Sequence, residues 1–446
     1  MRDHIRLTIA TAVVIVLLAG AGTTYLVTAA HHTGQTEHES VSPPRTLPLR
    51  DIADGPAPTR AGVSAALRRS LARTGLARSF AGVVVDATTG VQLFADQPAR
   101  AMPPASTLKL FTAAAALTTL RPNDTLATGV VRSGNTLYLV GGGDVTLTVK
   151  RQPGYPTSAT LTALADRTAT ALQGSTRVRL RYDAGGWPGP TLASGWTASY
   201  LTSGNVSRLI PLEVDEGRVG PGPTAPRAAD PADQAGKAFA RELSKAGIDV
   251  LGSVRPAAAP PTGLDIAAVN SPTIAALVQR MLTSSDNDLA EALGRAVARR
   301  LGRPVTFTGE AGAVRTAVAQ LGVPVSGMHL YDASGLSRID RVTPEALVTL
   351  LRIALHDDRL QPLLAGLPVA GFTGTLAHRY DHGEVRAGAG VVRAKTGTLT
   401  GVNALAGQVL DADGRLLLFA FVVDHVPDPA VGESALDDLA ASLAGT

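Results

Sequence analysis

Between Pro103 and Leu120 the chain reads PPASTLKLFTAAAALTTL. Paired prolines interrupt what precedes them, and the Ala-rich run that follows is made of strong helix formers. The stretch predicts a helix from Ser106 to about Leu120. That helix opens Ser106-Thr107-Leu108-Lys109, and residues three apart share one helix face, which sets the Lys109 amine over the Ser106 hydroxyl. A serine hydroxyl is a weak nucleophile until an adjacent base takes its proton. A lysine serves as that base when burial and neighbouring cations hold its amine neutral. The helix N-terminus adds unpaired N–H groups suited to a developing oxyanion. Taken alone, the same residues also read as a capping serine followed by an exposed lysine.

On either side of this stretch the two ends of the chain mirror each other. Val63–Leu71 has helical spacing, and Phe80–Asp86 (FAGVVVD) and Val91–Ala95 (VQLFA) flank Ala87-Thr88-Thr89-Gly90 in a hairpin pattern. At the far end, Val391–Lys395, Ala404–Leu410 and Leu416–Val423 read as strands, and Glu433–Leu443 as a closing helix. Five strands with helices at both termini predict one antiparallel sheet of α/β (α+β) type assembled from both ends of the chain. The middle is mixed: a strand at Thr136–Val140, helical patterns at Ser158–Gln173 and Asp233–Lys245, extended ones at Val178–Tyr182 and Val250–Val254, and a loop at Gly220–Pro231. Residues 128–264 are therefore expected to be an inserted mixed α/β subdomain. Residues 61–127 and 265–446 are expected to form the main domain.

The 446 residues carry no cysteine, which excludes disulfides, thiol nucleophiles and zinc-thiolate or iron–sulfur sites. A net charge of +4, with Arg and acidic residues interspersed, gives no nucleic-acid signature. Leu7–Ala30 is uncharged and mostly apolar, and it follows Arg2 and Arg6. As a helix it reaches about the 30 Å of a bilayer core, longer than the apolar region of about 7–15 residues in a cleaved signal peptide. The expected order is a cytoplasmic tip at 1–6, a transmembrane signal anchor at 7–30 and a Pro-rich linker at 31–60. The positive-inside rule puts the rest on the extracytoplasmic face of the membrane, or outside the cell if the segment is cut near Thr28-Ala29-Ala30.

Two further motifs follow in order. Ser285-Asp286-Asn287 opens a helical pattern; Ser, Asp and Asn are good N-caps, but the same residues offer a hydroxyl relay at Ser285 and, at Asn287, an amide that hydrogen-bonds substrate or Lys109. Lys395-Thr396-Gly397-Thr398 ends a strand. Gly397 allows close approach of a ligand, and Lys395 with the hydroxyls of Thr396 and Thr398 suits a carboxylate. Only five of the 41 basic residues are lysines, so lysine at positions 109 and 395 is unlike the chain's habit.

These are the Ser-x-x-Lys, Ser-Asp-Asn and Lys-Thr-Gly elements, and with them the chain resembles penicillin-binding proteins of the D-alanyl-D-alanine carboxypeptidase/endopeptidase type, the penicillin-binding protein 4 group. Tyr138–Asp144, Asp332–Arg338, Leu367–Gly371 and Gly374-Thr375-Leu376 look like further signatures of that group, while Val145 stands where the group usually has Pro. The resemblance implies a β-lactamase/transpeptidase-like fold: a five-stranded antiparallel sheet flanked by helices, with a helical subdomain. It implies Ser106 as nucleophile, Lys109 as base and Ser285 as proton relay, with Asn287 beside them. Lys395, Thr396, Gly397 and Thr398 would bind the substrate carboxylate, and backbone N–H groups of Ser106 and Thr398 the oxyanion. The implied partners are peptidoglycan stem peptides and, as covalent inhibitors, β-lactams; no metal or organic cofactor is implied. Asp332 and Ser334 are expected only to brace the cleft. A secreted class A β-lactamase is the nearest alternative, yet it needs a Glu with Asn four residues on. Glu291, Glu310, Glu345 and Glu384 are followed there by Arg295, Val314, Thr349 and Gly388. A non-catalytic wall-binding or β-lactam-binding module would have no use for all three motifs.

Overall fold

The computed structural model describes residues 55–446. The expected anchor at 7–30 and most of the linker lie outside the described residues. Among those described, no helix is long and apolar enough to cross a membrane. The first helix, Arg60–Thr74, begins at Thr59, whose hydroxyl accepts from Gly62 N, and ends at Gly75 with φ +69°.

One sheet runs in the order Gln92–Asp96, Phe80–Asp86, Leu416–Asp424, Val402–Leu410, Val392–Leu399, antiparallel throughout. Phe80 stands opposite Val423, so the two ends of the chain share one ladder. Every residue of Leu416–Asp424 is buried because helices cover both faces. The pleat sends Leu417, Phe419, Phe421 and Val423 into a core with Arg60–Thr74 and the last helix, Pro429–Ala444. It sends Leu416, Leu418 and Ala420 into the other core, under Lys109–Thr119 and Pro344–His356. This two-sided burial is why the strand reads as a continuous apolar run instead of alternating.

The helical half packs Ile274–Ser284, Asn287–Arg300 and Phe307–Gln320 around the buried Lys109–Thr119. Ala113 to Ala116 are fully buried there, and their small side chains let the neighbouring helices approach closely.

A second sheet has the order Asp249–Val250, Arg177–Asp183, Thr136–Val140, Ala127–Ser133, Leu264–Asn270, with Arg255–Pro256 also on Arg177–Asp183. Helices Leu161–Ala171 and Pro231–Lys245 share its core. Strand Leu264–Asn270 pairs with Ala127–Ser133, so this sheet spans Ala127 to Asn270 and the expected limits of 128 and 264 cut through it. The extended stretch expected at 250–254 is reduced to two-residue strands at its ends, where Gly252 takes φ +71°. Part of 184–230 folds onto the helical half, where Trp196 Nε1 donates to Asp332 Oδ2 at 2.8 Å, while Leu212 and Val214 stay in the core of the second sheet.

Candidate active site

Ser106 lies in a 3₁₀ turn, Ala105–Leu108, and the α-helix begins only at Lys109. This differs from the α-helix expected from Ser106 onward. Ala105 takes φ +46°, a strained value for a residue with a Cβ, and the chain enters the helix through that tightened turn. In a 3₁₀ turn residues i and i+3 eclipse, which places Lys109 directly over Ser106. Lys109 Nζ lies 2.9 Å from Ser106 Oγ, 2.6 Å from Asn287 Oδ1 and 2.7 Å from the Ser334 carbonyl oxygen. The neutral amine has two N–H donors and one lone pair. Asn287 and Ser334 take the two donors, which leaves the lone pair for the Ser106 proton.

Lys109 is fully buried, and burial lowers its pKa to about 8 against the opposing pull of Asp332, Glu291, Asp286 and Asp288. The amine can therefore be neutral near physiological pH.

Asn287 is oriented from two sides. Its Oδ1 faces Lys109, and its Nδ2 donates to the Asn205 carbonyl at 2.7 Å. Asp286 caps the helix Asn287–Arg300 by accepting from Leu289 N at 3.0 Å. Ser285, half-buried, joins two helices in a left-handed conformation with φ +59°, and its hydroxyl has no hydrogen-bond partner among the described residues. Strain of this kind, about 1–3 kcal/mol, is characteristic of functional positions.

Lys395 to Thr398 lie within the edge strand Val392–Leu399 rather than at its end. Gly397 meets the Ser106 turn: a Cβ there would stand 2.9 Å from Pro104 O and 3.0 Å from Ser106 N. Ala394 N–H donates outward to Pro368 O, so by strand parity the N–H groups of Thr396 and Thr398 also face the outer edge. Lys395 is fully buried, its Nζ donates to Thr396 O at 2.9 Å, and no carboxylate pairs with it among the described residues. Burial, then Lys109 and Arg379, hold its pKa well below the usual lysine value.

The Thr398 hydroxyl, expected at the carboxylate, has a protein partner here. The pleat turns Thr398 toward the last helix, where its Oγ1 donates to Glu433 Oε1 at 2.8 Å. Thr396 Oγ1 shares a 2.7 Å hydrogen bond with Thr375 Oγ1.

Ser334, expected only to brace the cleft, supplies a carbonyl to the lysine itself. Its loop is held by Asp332, which accepts from Gly335 N and Ser337 N, both at 2.7 Å. Neither Asn205, Thr375 nor Glu433 carried a role in the sequence reading. Only the signature at 374–376 pointed toward Thr375.

Carboxylate oxygens of Glu216, Asp286 and Asp288 lie within 4.8 Å of one another, a spacing compatible with a cation. Guanidinium groups already fill that role. Arg280 pairs with Glu216 and Asp286, Arg218 with Glu216, and Arg227 with Asp288 at 3.3 Å.

The model of the D-Ala-D-Ala carboxypeptidase 3 (S13) family matches residues 63–226 and 220–444. Carboxypeptidase DacB of Mycolicibacterium smegmatis is 38% identical over 399 residues, which cover 87% of this chain and 85% of that protein. Carboxypeptidase Rv3627c of Mycobacterium tuberculosis is 36% identical over 410 residues, covering 89% and 86%. Penicillin-binding protein 4 from Haemophilus influenzae has the same fold, with a TM-score of 0.71 at 23% identity over 84% of this chain and 98% of that one. The family match runs from residue 63 to residue 444 and takes in the Ser106 turn, Asn287 and the edge strand alike. The chain therefore belongs to the D-Ala-D-Ala carboxypeptidase 3 (S13) family.

Proposed function

We infer that the chain is a serine-type D-Ala-D-Ala peptidase acting on peptidoglycan stem peptides, as carboxypeptidase, endopeptidase or both, through an acyl-enzyme on Ser106. The observation that carries this reading is the buried Lys109 amine, 2.9 Å from Ser106 Oγ, with Asn287 Oδ1 and Ser334 O within reach of both its N–H donors. Ser106 Oγ attacks the penultimate D-Ala carbonyl as Nζ takes its proton. The N–H groups of Ser106 and Thr398 receive the oxyanion, each donor contributing about 3 kcal/mol. Ser285 relays the proton held by Lys109 to the leaving D-Ala amine, giving up its own and receiving that one. The substrate's terminal carboxylate supplies the anion that buried Lys395 lacks, with Thr396 beside it; Gly397 lets the strand pack against the Ser106 turn, and Thr398 contributes its backbone. Water, or another peptide's amine, then releases the acyl group. β-Lactams enter the same route and stay on Ser106.

Peptidoglycan lies outside the cytoplasm, so the reaction is extracytoplasmic. Leu7–Ala30, behind Arg2 and Arg6, serves as the signal anchor that tethers the enzyme to the membrane.

Incubation with a fluorescent penicillin labels the wild type, and Ser106→Ala abolishes the label; an unlabelled wild type, or equal labelling of the variant, would sink the mechanism. Free D-Ala released from a pentapeptide gives the matching turnover. The acylation rate should also climb about tenfold per pH unit below about 8 and level off above it, because the base is the neutral Lys109 amine. A rate flat from pH 6 to 9 would rule Lys109 out as that base.

A further inference from the structure

Helix Asn287–Arg300 presents two residues one turn apart to the lysine: Asn287, which touches it, and Glu291, which does not. Glu291 is fully buried. Its Oε2 accepts from Ala333 N at 3.1 Å and its Oε1 from Ser334 N at 2.9 Å. Residues 333 and 334 also carry the carbonyls that face the nucleophile helix, Ala333 O in the peptide whose Ser334 N–H Glu291 holds and Ser334 O in the next peptide, whose Gly335 N–H Asp332 holds. Ser334 O receives Lys109 Nζ at 2.7 Å, and Ala333 O receives the Thr112 hydroxyl at 2.6 Å.

We propose that Glu291 is a positioning residue for Lys109: its two oxygens hold the N–H groups of residues 333 and 334, and so fix the backbone leading into the Ser334 carbonyl, which takes one amine N–H while the lone pair stays on Ser106. The proposal rests on Lys109 acting as the base. No other described side chain reaches these two N–H groups, and a carboxylate is the side chain with two acceptor oxygens for two parallel donors.

The charged and titratable groups around Glu291 come from every element packed on it. Lys109 lies on the nucleophile helix, Asp332 and Asp340 on the loop behind it, Glu310 on helix Phe307–Gln320, and Arg295 one turn along its own helix. Arg295 Nε lies 2.9 Å from Glu310 Oε2. Burial and the facing Glu291 hold Glu310 well above the usual carboxylate range. Burial and then Asp332 push Glu291 itself up to about 7.

The test is the pH profile of fluorescent-penicillin acylation, taken with the thermal midpoint of each full-length variant. Glu291→Gln presents an amide N–H to a backbone N–H, so the 333–334 loop shifts and the plateau rate should fall at least about tenfold. Loss of the anion also removes a group that favours the ammonium form of Lys109, so the acid limb should move to lower pH by about one unit. Glu291→Asp keeps the charge but withdraws both oxygens by one methylene; its plateau should fall while the limb stays near pH 8. A residue that merely supports the fold would lower the thermal midpoint and leave limb and plateau of the folded fraction as in wild type. That result in Glu291→Gln overturns the proposal. Should the Gln variant fail to fold, a wild-type plateau in Glu291→Asp overturns it as well. Wild-type labelling at Ser106 stands apart from these outcomes, so the proposal can fail while the peptidase reading holds.

Discussion

Lys109→Met is expected to stop acylation of Ser106, lowering the rate of labelling by a fluorescent penicillin about 10³-fold, within the about 10²–10⁴-fold that a positioned base supplies. The side chain keeps nearly the same length and stays buried, but no lone pair faces Ser106 Oγ. Two acceptors, Asn287 Oδ1 and Ser334 O, lose their donor, at about 1–3 kcal/mol each. Against that cost, a buried amine and, when it is protonated, its repulsion of Lys395 disappear. The thermal midpoint should therefore move by a few degrees while the rate collapses. Lys109→Arg should be equally inactive, because a guanidinium keeps its proton at any relevant pH. A variant of either kind that labels within tenfold of wild type would show that another group takes the proton.

Gly335→Ala is the second large effect, although residue 335 touches no substrate. Gly335 has φ +82°, and a Cβ on it would stand 1.9 Å from Ala105 O and 2.6 Å from Ala105 C. Ala105 is already strained at φ +46° and precedes the nucleophile, so the turn has no relaxed direction in which to yield. Left-handed strain and overpacking together cost about 2–5 kcal/mol. A displacement of about 1 Å at Ser106 lowers the reaction about 10²-fold. Both losses should appear, a lower thermal midpoint and slower labelling. Gly322→Ala is the control: φ is +91°, but nothing lies within 4 Å of its Cβ, so it should lose stability alone. If Gly335→Ala labels at the wild-type rate, the contact with the Ser106 turn does not position the nucleophile.

Much of this was legible locally. Leu416–Asp424 is apolar at every position, and a strand with both faces covered has that signature. The Ser106–Lys109 contact is a matter of backbone repeat, whether the turn is α or 3₁₀. Of the partners at greater separation, one was legible and one was not. Asn287, 178 positions away, was read through the Ser-Asp-Asn motif as an amide for substrate or Lys109, whereas nothing local named Ser334, 225 positions away, as a contact. The carbonyl of Ser334 was invisible for a further reason: every residue has one, so no residue type marks it. Thr398 shows the reverse case. Its alternation with Lys395 was readable, but what covers its face, the helix Pro429–Ala444 with Glu433, was not assigned to that face.

By itself, then, the sequence determined which groups are present and at what spacing: a serine three residues before a lysine, a Ser-Asp-Asn helix start, and a Lys-Thr-Gly-Thr strand in a lysine-poor chain without cysteine. These follow from residue chemistry and the period of the backbone. The tertiary structure alone decided that Lys109 is buried with a pKa of about 8, that Asn287 and Ser334 occupy its donors, and that Glu291 holds the loop carrying one of them. Protonation and orientation depend on dielectric and on partners distant in the chain, and both are set only when the elements pack together.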